Sequence, residues 1–459
     1  MNPRRKKKLL PLLVVAAIGF VGAYGGAKAI TKSRTLPSAS TATKSYSPEI
    51  IARGEYIAHT ADCAACHTAP NAPKYAGGLA MQTPIGAIYS TNITPDKETG
   101  IGTYTLAEFS TAVKHGVRQD GAPLYPAMPY PSYTIMPDED IEALYAYFMK
   151  EVKPVKFANA DSTIPPVLNW RWPVAYWQFL FSPEREFTPE TDKDALYNHG
   201  AYLVEGPGHC GACHTPRGIA YQEKAYSMKD GNDFLSGAII DGWRAKSLRG
   251  EARGLQSWSQ EEIQTFLKTG RTDKVSAFGA MTDVINHSTQ YFTDHDIESI
   301  AYYLKSLSPA PGKEITLPKK EDTTTAALLA GKDKSKGAIL YMDNCVTCHR
   351  VDGKGVARVI PALADNSAIF ARNAQSIIQI TLDGGKMPET PADIMAFTMP
   401  GFSHLGDEDI AEVINFIRNS WGNQAPNVDP SDVARTRHFL KTKSPHIVYD
   451  ANAQGGRHE

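Results

Sequence analysis

All six cysteines of this 459-residue chain fall in three copies of one pattern: Cys63-Ala-Ala-Cys66-His67, Cys210-Gly-Ala-Cys213-His214 and Cys345-Val-Thr-Cys348-His349. Two thiols three residues apart can each add to one of the two vinyl groups of a haem, and the histidine that follows is then held beneath the iron as a nitrogen ligand. A structural zinc site usually draws on two separated pairs of ligands, whereas each pair here is followed at once by a histidine poorly placed to close on the same metal. A thiol redox pair asks nothing of the next residue. Three copies that consume every cysteine imply three covalently bound haem c groups, ligated by His67, His214 and His349.

A second iron ligand is expected from a methionine in a loop of each repeat: Met128, Met281 and Met399, which lie 61, 67 and 50 residues after the respective histidines. A thioether is a soft, neutral ligand that favours reduced iron and raises the potential, as an electron carrier requires. Three of eleven methionines at equivalent points of three repeats are better explained by ligation than by gap filling in a core. Met136 competes in the first repeat, Met387 and Met395 in the third. His115 and His287 are the histidine alternatives.

The elements that must hold these groups recur with them. Ahead of each motif stands a short helix marked by a glycine and an aromatic: Gly54 with Tyr56, Gly200 with Tyr202, Gly337 with Tyr341. A second helix follows, opened by the capping boxes Thr105-Leu-Ala-Glu108 and Ser259-Gln-Glu-Glu262, or by Asn373, and closed by Gly116, Gly270 or Gly384. A last helix starts at Asp138, Asp294 or Asp407, with acids in its first turn and apolar residues at helical spacing behind them. The expected fold is mainly α, three tandem class I cytochrome c-like helical domains at 48–160, 193–310 and 332–424.

Hydrophobic residues make up 42% and charged residues 21% of the chain, as in globular material. Six of its 48 Lys and Arg lie in the first 29 residues; the remaining 42 face 49 acids, a net charge of −7 that argues against nucleic acid as a partner. Residues 1–29 pair a basic start with 18 uncharged residues, 9–26, and Ala27-Lys-Ala29 offers a cleavage site, so they are a signal peptide or an N-terminal membrane anchor. Residues 30–47 read as a flexible tether, 161–192 as an aromatic-rich interdomain segment and 311–331 as a linker. The aromatic segment either packs over the joint between domains or docks on a membrane or a partner. Residues 425–459 read as a polar tail, disordered or strapped to a partner. Arg217 and Arg350 either meet haem propionates or stay solvated.

Several longer strings make the chain similar to a known family. They are Gly54-Glu-Tyr56 before the first motif, Thr91-Asn-Ile-Thr-Pro-Asp96, Leu124-Tyr-Pro-Ala-Met-Pro-Tyr-Pro-Ser-Tyr133, Gly208-His-Cys-Gly-Ala-Cys-His-Thr-Pro-Arg217, His287-Ser-Thr-Gln-Tyr291 and Phe397-Thr-Met-Pro-Gly-Phe402. Over residues 47–423 the sequence resembles the three-haem cytochrome c subunits of membrane-bound, quinone-linked bacterial dehydrogenases, such as the alcohol and gluconate dehydrogenase complexes. That resemblance implies a subunit on the periplasmic side of the cytoplasmic (inner) membrane. It would accept electrons from a large dehydrogenase subunit of PQQ, flavin or molybdenum type and pass them to ubiquinone. It also implies that Cys63, Cys66, His67 and Met128, and their counterparts in the other repeats, hold the haems. Some members are thought to attach through amphipathic C-terminal segments; the short polar tail here leaves the N-terminal segment as the clearer membrane signal.

An electron-transfer subunit has no substrate pocket of its own, and no catalytic residue is singled out. A multihaem enzyme such as a peroxidase needs an iron with an open position, which three methionine loops do not provide. A soluble periplasmic electron shuttle would need neither anchor nor partner.

Overall fold

The computed structural model describes residues 3–37, 45–166, 168–240, 242–317 and 320–447, with side chains of the N-terminal helix from residue 17 onward. The chain is mainly α. Three apolar cores follow one another along it, each built where a first helix crosses a last helix: Pro48–Thr60 with Asp138–Lys150, Ala195–Glu205 with Asp294–Ser306, and Lys336–Asn344 with Asp407–Asn419. Residues such as Ile141, Ile300 and Ile414 are buried there, each stabilising its core by about 1.5–3 kcal/mol.

The glycine of each first helix sets the crossing. A Cβ at Gly54 would overlap the Ala143 carbonyl oxygen and lie 2.8 Å from Tyr147 Cβ; at Gly200 it would overlap the Ser299 carbonyl and lie 2.8 Å from Tyr303 Cβ; at Gly337 it would lie 2.7 Å from Phe416 Cβ. Any larger residue would push the helices apart. The residue just before each glycine ties the same helices together again: Arg53 to Asp140, His199 Nε2 to Asp296 at 2.5 Å, and Lys336 to Asp409 at 2.8 Å.

The second helices form as their caps dictate. Thr105 and Ser259 close complete capping boxes with Glu108 and Glu262, and Gly116 and Gly270 end those helices in the left-handed conformation. In the third repeat the residue flanking helix Gln375–Asp383 is Ala374, while Asn373 Oδ1 accepts from Gln375 N at 2.8 Å. Short antiparallel hairpins, unforeseen in the sequence, pair Ala80–Thr83 with Gly86–Tyr89 and Ala238–Ile240 with Trp243–Ala245; a two-residue pair joins Gly385–Lys386 to Thr398–Met399.

Repeats one and two meet through crossed bonds between equivalent residues. Tyr56 of the first donates to Asp296 of the second, and Tyr202 of the second donates to Asp140 of the first at 3.2 Å. The third repeat joins the second through buried Arg271, which donates to the carbonyls of Arg358, Met395 and Pro388 at 3.2, 2.9 and 2.8 Å.

The flanking segments take definite structure. Residues 425–447 of the tail are ordered, and 448–459 lie outside the described residues. An Asp429–Asp432 capping box with Pro430 at the first turn starts helix Pro430–Thr442, which buries Val433 and Thr436 against the third core. Residues beyond it return to the first repeat, where Ile447 N reaches Gly78 O at 2.9 Å and Gln82 Nε2 reaches Ser444 O at 2.9 Å. The tether starts later than its composition suggests, because one helix runs Pro3–Ser33; residues 38–44 lie outside the described residues. The side chains of residues 9–16, the first eight of the 18 uncharged residues, also lie outside them; among the described residues no helix is long and apolar enough to cross a membrane. The candidate cleavage site falls inside the helix, with Ala27 buried. The aromatic segment forms helix Trp172–Phe181, which packs on that helix and joins repeats one and two: Gln178 Nε2 donates to Gly116 O at 2.7 Å and Trp177 Nε1 to Ala220 O at 2.8 Å.

Candidate haem sites

Each Cys-x-x-Cys-His pattern occupies a single helical turn. In the first it is helix Cys63–His67; in the others Cys210 and Cys345 flank Gly211–His214 and Val346–His349. His214 N and His349 N bond the carbonyls of Cys210 and Cys345 at 2.9 and 3.0 Å. Three-residue spacing on a helix puts both sulfurs of a pair on one face. All six thiols are free, and Cys63, Cys210 and Cys345 border the three cores. Burial pushes Cys63 and Cys210 up to about 12 and Cys213 and Cys345 up to about 11, so these are neutral thiols at pH 7. Among the described residues no three His, Cys, Asp or Glu side chains converge as a protein-only metal site requires.

The histidines share one feature that sequence reasoning missed. Their Nδ1 atoms lie 2.7, 2.6 and 3.1 Å from the backbone carbonyls of Thr91, Lys246 and Pro361 respectively. A carbonyl can only accept, so each Nδ1 carries the proton and each Nε2 keeps its lone pair for a metal. The same bond fixes the ring and raises its basicity. Burial pulls His67 and His349 below the usual histidine range and His214 down to about 4; neutral imidazole is the ligating form. The hairpins explain the delivery in the first two repeats, since Thr91 and Lys246 follow the second strand of each closely. In the third, Pro361 lies only 12 residues past its histidine.

The methionines sit on different elements. Met128 stays in a loop, its N bonded to Tyr125 O at 3.3 Å, and packs against the first core. Met281 lies in the first turn of helix Ala280–His287, and Met399 in the short strand Thr398–Met399, so neither is in the loop that its flanking residues suggested. All three are half-buried. Met136 and Met387 are buried, whereas Met395 is exposed and lends only its carbonyl to Arg271. Of the histidine alternatives, His115 stands 3.9 Å from Glu184, and His287 gives its carbonyl to His59 Nδ1 at 3.0 Å. Arg217 is not solvated: it donates to Ala212 O and lies 3.8 Å from buried Glu223.

The three sites form a continuous row. Helix Cys63–His67 packs on the helix that carries Met281, and Tyr133 joins that seam by donating to Ala61 O at 2.6 Å and meeting the His209 ring edge-on at 5.6 Å. Lys246, whose carbonyl takes His214, extends Nζ to Ser367 Oγ of the third repeat at 2.9 Å. Ala362 N, next to Pro361, bonds Lys274 O of the second repeat at 2.9 Å.

A cytochrome c family model matches residues 51–151 and 335–421. The chain is 50% identical over 395 residues to the cytochrome c subunit of the quinone alcohol dehydrogenase of Komagataeibacter europaeus, covering 84% of each chain. It is 48% identical over 410 residues to the gluconate 2-dehydrogenase cytochrome c subunit of Pantoea cypripedii, covering 88% of this chain and 93% of the relative. A fructose dehydrogenase cytochrome subunit of Gluconobacter japonicus is 36% identical over 431 residues, 89% of this chain and 86% of that one.

Proposed function

We propose that this chain, which belongs to the family of cytochrome c subunits of quinone-linked dehydrogenases, carries three covalent haems and relays electrons from a large dehydrogenase subunit to ubiquinone. Bound haem supplies a one-electron couple to each repeat. The residues would hold it in fixed roles: Cys63 and Cys66, Cys210 and Cys213, and Cys345 and Cys348 would attach it; His67, His214 and His349 would ligate its iron; Met128, Met281 and Met399 would supply a thioether ligand. The observation that carries this reading is the triple repeat of a histidine whose Nδ1 is committed to a backbone carbonyl, leaving Nε2 free. The unbroken row of sites supports relay through the chain.

The same reading puts the protein on the periplasmic side of the cytoplasmic membrane. Exposed Ile18, Val21, Phe179 and Leu180 on the paired N-terminal and aromatic helices support it. The test is a pyridine haemochrome count on the purified polypeptide together with its intact mass. Three haems per chain are expected; fewer would overturn the relay as drawn. Recovery in the membrane fraction, and co-purification with a dehydrogenase, test the rest.

A further inference from the structure

We infer that ubiquinone's head group binds in the open cleft between the N-terminal helix and the aromatic helix, a site that rests on the relay reading above and gives it an electron exit. The cleft has a volume of about 460 Å³ and is lined by Phe20, Tyr24, Asn169, Trp170, Arg171 and Trp172. That is within the range of small-ligand pockets, which pair apolar and aromatic walls with a few polar groups that orient the ligand.

The walls are built in. Phe20 meets Trp170 and Trp172 edge-on at 5.8 and 5.6 Å, and Tyr24 meets Trp172 at 6.3 Å. The two helices are locked together below them. Tyr176 donates to Ala23 O at 2.7 Å, a Cβ at Gly26 would collide with the Tyr176 hydroxyl, and Arg34 donates to the carbonyls of Gln178 and Ser182 at 2.9 and 2.6 Å. Helix Trp172–Phe181 thus offers a shaped seat to residues 20–34, and the proposed site requires them in the mature chain.

Two polar residues point to a quinone in place of a plain acyl chain. Asn169 Oδ1 accepts from Tyr125 at 2.7 Å, which leaves its NH2 to donate, and the Arg171 guanidinium lies over the Tyr125 ring at 3.7 Å. A benzoquinone presents two carbonyl acceptors on an electron-poor ring that stacks well on indole, and a hydrocarbon presents neither. Both polar residues rest on Tyr125, three residues before Met128 in the loop that bears the first repeat's proposed iron ligand. An isoprenoid tail has an apolar way out, because Val21 is 69% exposed and Phe179 and Leu180 are each 66% exposed on the same helix pair.

The experiment photolabels the full-length, haem-loaded protein in detergent with an azido-substituted short-chain ubiquinone and maps the adducts by peptide mass. Label on residues 17–33 and 168–181 is expected, and unlabelled decylubiquinone should compete for it. Arg171→Gln and Asn169→Leu should each reduce labelling about tenfold with the visible haem spectrum unchanged, which shows that the variants fold. Label confined to other peptides, undiminished label in both variants, competition by phospholipid but not by decylubiquinone, or a mature chain beginning after Ala29 would each overturn the site. Absence of label anywhere on a three-haem protein would instead overturn the quinone step of the relay.

Discussion

The first and second repeats face one another as near copies, and the third joins them by other means. In all three a basic residue just before the helix glycine pairs with the acid at the third position of the last helix, as Arg53 with Asp140, His199 with Asp296 and Lys336 with Asp409. In the first two, the residue two after that glycine is a tyrosine that reaches the other repeat's acid. In the third it is Ile339, 48% exposed and without a hydroxyl to make that bond. The third repeat is held through Arg271 and through the returning tail. One helix pair therefore serves two ends: it closes each core, and where tyrosine is present it doubles as an interface.

The greatest disruption of this arrangement should come from Arg271→Ala. It leaves three carbonyls without a charged donor and should cost about 3 kcal/mol or more. Differential scanning calorimetry should then show the third repeat melting apart from the other two; one unchanged transition would refute the assignment. Next, Gly54→Ala and Gly200→Ala should each cost about 1–3 kcal/mol by overpacking. Gly337→Ala should cost least, since its Cβ would stand 2.5 Å from the opposing carbonyl oxygen against 1.9 and 2.0 Å at the other two, and denaturant midpoints give the ranking.

Acid dependence should show in the second repeat. Burial lifts Glu205 from 4.5 to about 7, against a hydrogen bond from Tyr303 that lowers it. The folded state holds this proton more tightly than the unfolded one, so the stabilisation is complete below pH 4.5 and fades as pH rises towards 7. Glu205→Gln should flatten the fall in melting temperature over that range, an effect of about 1–2 kcal/mol for this incompletely buried group. Smallest, Tyr56→Phe and Tyr202→Phe should each lose about 1 kcal/mol. A double-mutant cycle should find them nearly additive, because each reaches a different carboxylate.

What the sequence revealed was whatever depends on side-chain identity at short range. The three motifs, both capping boxes and the starts at Asp138, Asp294 and Asp407 all follow from residues a few positions apart. The carbonyls of Thr91, Lys246 and Pro361 stayed hidden because every residue carries the same carbonyl, and their distance from the histidine varies from 12 to 32 residues. The crossed tyrosine bonds link the two repeats across the chain, the Tyr56–Asp296 pair being 240 residues apart, beyond any local pattern. The C-terminal helix was legible after all: Asp429-Pro-Ser-Asp432 is a start signal that the polar composition around it obscured.

The hydrogen bonds from Ser444 and Ile447 to Gln82 and Gly78 make the polypeptide a ring. The edge of the first repeat's hairpin is thus covered by residues 362 positions further along the chain, so that repeat is complete only once the third repeat and the segment after it are in place. A chain cut short before Ser444 would therefore carry an open seam in its first repeat.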